Sequence, residues 1–87
     1  MTATETAALA ANVADWVRYT ERQTRAAERR VEARTLTAER YLVGRTLADL
    51  QEDDLDNYAR ALQDLRVAKR DLAVAVETRD AARDLSA

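Results

Sequence analysis

The sequence predicts an all-α fold: a long antiparallel helical hairpin, packed as a two-helix coiled coil and completed by oligomerisation or docking. Three observations carry this. Ala, Leu, Arg, Glu and Asp dominate a chain with one glycine and no proline, a composition that favours helix nearly everywhere. Apolar residues recur at helical spacing in both halves. The lone glycine, Gly44, sits near the middle, where a helix ends most naturally.

The first helix should start near residue 3. Thr2-Ala3-Thr4-Glu5 is a capping box, with Thr2 and Glu5 each serving the other's amide. Its apolar stripe reads Leu9, Val13, Trp16, Thr20, Thr24, Ala27, Val31, Ala38 and Tyr41 or Leu42. The middle of this stripe is small, so a partner helix can come close while burying little area. The helix is expected to span about residues 3–43, with Gly44 closing it in the left-handed conformation. The Thr35 and Thr37 pair marks a weak point, and a variant breaks the helix near residues 34–37.

The second helix is expected over about residues 46–84, after a turn at 44–45, making one hairpin domain of the whole chain, 1–87. Thr46 and Asp49 form a second capping box. Leu55, Tyr58, Leu62, Leu65, Lys69, Leu72, Val76 and Arg79 alternate spacings of three and four, a heptad seam with Lys69 and Arg79 at interior positions. Leu50 to Leu55 is a five-residue step, out of phase with that seam. If the helix breaks there, a short third segment forms at the tip and Asp53 caps the restart. Folding at Gly44 makes facing residue numbers sum to about 89, which sets Trp16 against Leu72 and Val31 against Tyr58.

Such a hairpin has one seam and a core thinned by alanine. Aromatics are only 5% of the chain. At about 1.5 kcal/mol of ordering cost per residue, its net stability alone comes out near zero. Apolar residues off the seam, together with Trp16 and the interior cation Lys69, are therefore the candidate protein-interface residues: Trp16, Val17, Leu36, Val43, Val67, Lys69, Val74 and Leu85.

Two charged clusters compete as sites. Asp49, Glu52, Asp53, Asp54 and Asp56 form an acidic tip. Their spacing lacks the glycine and closing glutamate of a calcium loop, and acids there suit a helix N-terminus. Arg18, Arg22, Arg25 and Arg29 recur at helical spacing as candidate phosphate contacts. Glu21, Glu28 and Glu32 interleave them, as on a solvated helix face, so nucleic acid is an unfavoured partner.

Histidine and cysteine are absent, which removes the commonest general base, thiolate ligands and disulfides. No catalytic residue, metal or cofactor is assigned, and the chain is read as non-enzymatic. No apolar run is long enough to span a bilayer, and the N-terminal stretch lacks the basic region of a signal peptide. The expected setting is cytoplasmic or within an assembled particle.

In length and hairpin pattern the chain resembles the small secreted WXG-type proteins. That family carries Trp-x-Gly in its turn. Here the turn reads LVGR, Trp16 lies in DWVR, and Tyr58 is followed four residues on by Leu62 rather than an acid. The resemblance therefore extends to gross shape alone. The functional expectation is a structural or accessory subunit of a larger assembly, such as a phage-like particle. A regulatory adaptor binding one partner through an exposed helical face is the alternative.

Overall fold

The computed structural model describes residues 2–87. It is a hairpin of two long helices, α1 (Ala3–Arg40) and α2 (Glu52–Ser86), joined by a tip that contains a short 3-10 turn, Leu47–Asp49. The molecule measures 68 × 17 × 16 Å.

Helix α1 starts as its sequence requires. The Thr2 amide donates to Glu5 Oε2 at 3.1 Å, and the Glu5 amide donates to Thr2 Oγ1 at 3.2 Å. No break occurs at residues 34–37. Thr35 and Thr37 donate their hydroxyls to the carbonyls of Val31 (2.8 Å) and Ala33 (3.0 Å), so both hydroxyls are satisfied within the helix.

The tip departs from expectation on both sides of Gly44. Helix α1 ends at Arg40 rather than near residue 43, tightening into i, i+3 bonds from the amides of Tyr41 and Leu42. Gly44 does take a positive φ, 72°. It lies in a turn closed by the Arg45 amide donating to the Leu42 carbonyl at 3.2 Å. Thr46 and Asp49 cap the 3-10 turn, not α2: the Thr46 amide donates to Asp49 Oδ2 at 2.8 Å. Leu50 and Gln51 are then extended, and α2 begins at Glu52 with Gln51 as its cap, in place of Asp53. The five-residue step is thus a real break. On one continuous helix Leu50 would point about 140° away from Leu55. The extended link instead lets Leu50 turn inward, where it is 6% exposed.

Because the chain turns over residues 41–51, the hairpin register differs from that of a fold at Gly44. The Thr24 hydroxyl donates across the seam to the Ala75 carbonyl at 3.3 Å. Tyr41 meets Tyr58 edge-on, with ring centroids 6.1 Å apart. Facing residue numbers therefore sum to 99 rather than 89. Trp16 lies level with Arg83, not Leu72, and Val31 with Ala68, not Tyr58. Helix α2 ends level with Val13, so residues 3–12 of α1 project past Ser86, all exposed.

The contact line of α2 is also rotated. Ala61, Ala68 and Ala82 are buried and Ala75 is half-buried, seven residues apart in turn. Tyr58, Leu65, Leu72 and Arg79 alternate with them, half-buried. The expected seam shared the second set but paired it with Leu62, Lys69 and Val76, about 50° around the helix. Leu62 and Val76 are half-buried at the edge of the contact line, while Lys69 and Leu55 are exposed. Opposite these alanines stand Val17, Thr24, Val31 and Ala38 of α1. Small side chains let the axes approach toward the short end of the usual spacing, about 8–10 Å. The Thr24–Ala75 hydrogen bond, a side chain reaching the other helix's main chain, is direct evidence of that closeness. The largest fully buried side chain is Thr24.

Candidate interaction surface

A seam this narrow leaves two flanks, one on each side of the line where the helices touch. One flank is charged. Glu21 of α1 pairs with Arg83 of α2 at 3.3 Å and with Arg25 at 3.9 Å. Glu28 and Arg79 line the same groove. Arg79 remains a seam residue as expected, with its side chain 23% exposed and its guanidinium on Asp80 at 3.1 Å.

The other flank carries most of the exposed large apolar side chains. From α1 come Leu9, Trp16 and Tyr19; from α2 come Val67, Val74 and Leu85. Trp16 does not fill the seam. It is 44% exposed and stacks on Tyr19, with centroids 5.5 Å apart and ring planes at 19°. Val17 takes the seam position instead and is half-buried, so it is not a free interface residue. Lys69 is exposed beside the seam rather than inside it. Val67, Val74 and Leu85 are exposed as expected, while Leu36 lies on the outward face of α1 and Val43 at the tip.

Leu9 and Tyr19 were not legible as surface residues. Leu9 follows the seam period but lies beyond the end of α2, where it is 50% exposed and lines an open groove with Leu85 and Ser86. Tyr19 falls on no apolar stripe. The seven-residue steps from Leu9 to Trp16 and from Val67 to Val74 are the signal that joins them into one flank.

The acids at the tip do not converge. Asp49 is occupied by Thr46, and Asp54 pairs with Arg45 at 3.5 Å. Hydrogen bonds from the Thr46 amide and then its hydroxyl hold the Asp49 carboxyl below the usual carboxylate range. Glu52, Asp53 and Asp54 form the first turn of α2, where they complement the helix dipole, and Asp56 is exposed one turn on. No group of three acidic side chains among the described residues is placed to hold a metal ion.

The arginine stripe lies on the outer face of α1. Arg18 bonds Asp15 and Arg25 pairs with Glu21, while Arg22 and Arg29 are exposed. Among the described residues no helix is long and apolar enough to cross a membrane. Comparison with protein-family models, curated proteins and solved structures finds no match.

Proposed function

We propose that this protein is a non-catalytic structural or accessory subunit that works by helix–helix packing within a larger protein assembly. One observation carries the reading: apart from Leu50 at the tip the buried residues are small, while several large apolar side chains are exposed. The core is Ala27, Ala38, Leu50, Ala61, Ala68 and Ala82 with two threonines, while Trp16, Val74 and Leu85 stand 44%, 57% and 70% exposed. Such a hairpin gains most by binding a partner that covers its flank, and binding to the folded state raises its stability by mass action.

The test is thermal unfolding of the full chain between about 5 µM and about 500 µM, followed by circular dichroism. The reading expects a weak, concentration-dependent transition. A cooperative transition above about 65 °C that ignores concentration would refute it. The Trp16–Tyr19 stack also favours an adaptor that binds one partner, since paired aromatics are common anchors of interfaces. Native co-purification separates the two, an adaptor giving one stoichiometric partner. Asp15 and Glu21 engage Arg18 and Arg25, two of the four arginines of the stripe, and the reading does not invoke phosphate binding.

A further inference from the structure

The apolar flank has a composition the rest of the surface lacks. Between Leu9 and Ala26 of α1, and at the level positions of α2, no flank residue is charged, in a chain that is 34% charged. Charge returns toward the tip. Arg30, Arg34, Asp64 and Asp71 line one shallow groove of about 160 Å³ on this flank, and none of the four takes part in the hairpin's ion pairs.

We propose that this flank is the contact surface of a parallel two-fold dimer, in which a second copy of the chain completes a four-helix bundle. The proposal rests on the assembly reading above and names the partner. With the two-fold axis along the rod, α1 of one copy faces α2 of the other, antiparallel and at the same level. Because level positions sum to 99, the faces can be compared residue by residue.

They are complementary without any sliding. On this flank Tyr19 falls nearest small Ala81, and Trp16 falls midway between Ala81 and Leu85. Small Ala26 and Ala33 fall level with Val74 and Val67. Arg30 falls within two residues of level with Asp71, so two such pairs form across the axis, one from each copy's Arg30. Large against small is what interdigitated helices require, and the opposite charges set orientation. Arg40 and Arg60 also fall level, two like charges, so the matched face stops near Thr37.

The size agrees as well. From Leu9 to Thr37 the flank is about 42 Å long at 1.5 Å per residue. The hairpin is 17 Å wide. Each copy then contributes roughly 700 Å², and the pair lies within the range of about 1,200–2,000 Å² typical of specific interfaces.

Sedimentation of the full chain at about 50 µM should give a particle of twice 9.8 kDa. Val74→Glu and Trp16→Glu should each weaken association at least about tenfold and lower Tm at matched concentration, while leaving the helix content below the transition unchanged, since both positions are exposed in the hairpin. Leu36→Glu, on the outward face, should leave the dimer intact. Arg30→Asp and Asp71→Arg should each weaken it, and the two together should restore it. A spin label at Val43→Cys should report tips within about 30 Å of one another, as helices packed about 10 Å apart require. Tips farther apart than that, or no restoration by the double charge swap, overturn this geometry. A monomer at 50 µM overturns the second copy as partner; only a monomer that also unfolds cooperatively and independently of concentration overturns the assembly reading too.

Discussion

Ala68 and Lys69 are neighbours whose substitution by leucine should have opposite significance for the seam. Ala68 is 6% exposed and stands level with Val31 on the contact line. Leucine adds three carbons. Had they room, burial would contribute about 2.4 kcal/mol at ~0.8 per methylene. They have none, because the helices are close enough for the Thr24 hydroxyl to reach the Ala75 carbonyl at 3.3 Å. Admitting the side chain means parting the helices along Ala61, Ala75 and Ala82, which forfeits their contacts as well. Overpacking of this kind costs about 1–3 kcal/mol net. At about 4–8 °C per kcal/mol for a chain of this size, Ala68→Leu should lower Tm by roughly 5–20 °C. Lys69 is exposed, and leucine and lysine have similar helix propensity, so Lys69→Leu should change stability by less than about 0.5 kcal/mol. Melts at matched concentration, followed by circular dichroism with the mass checked by sedimentation, decide the matter. If Lys69→Leu raises Tm by more than about 10 °C while Ala68→Leu is neutral, the contact line runs through Leu62, Lys69 and Val76 and the alanine seam is wrong.

Three further outcomes follow from the tip and the core. Gly44→Ala should cost about 1–2 kcal/mol in urea unfolding, from the left-handed backbone alone, since no atom lies within 4 Å of the added methyl; no change would mean that the turn differs. Thr24→Val keeps the shape but removes the hydroxyl's bonds to Thr20 and Ala75, and should cost about 0.5–1.5 kcal/mol in the same assay. Asp49 is held below its unfolded pKa by Thr46, so its contribution is full above about pH 4 and fades as pH falls through the lower folded value. Asp49→Asn should flatten that part of the acid limb of the urea midpoint, and an unchanged limb would remove Asp49 from it.

Much of the hairpin was legible because its signals are local. The Thr2–Glu5 box, the helix formers of α1 and the positive φ of Gly44 depend on residues a few positions apart. The second half misled where size and polarity disagreed. Leu62 and Val76 outweigh Ala61 and Ala75 on any apolar scale, so periodicity drew the seam through the larger residues and through Lys69. Close packing reverses that order, since the residue best buried between two near helices is the one small enough to permit them. Thr46 and Asp49 form the expected box, yet it serves a 3-10 turn, because Leu50 gains burial only if the helix restarts after it.

By itself the sequence determined the all-α class, the two long helices, the cap at Thr2 and the left-handed glycine in the connection, all properties of short-range backbone preference. Only the tertiary structure decided which stripe of each helix touches, and at what register. These depend on how deeply the tip folds and how near the axes come. A register displaced by five residues per helix changes the residue level with Trp16 from Leu72 to Arg83, and a contact line through Val17 turns Trp16 onto an open flank, so the candidate interaction surface is set by packing rather than by pattern.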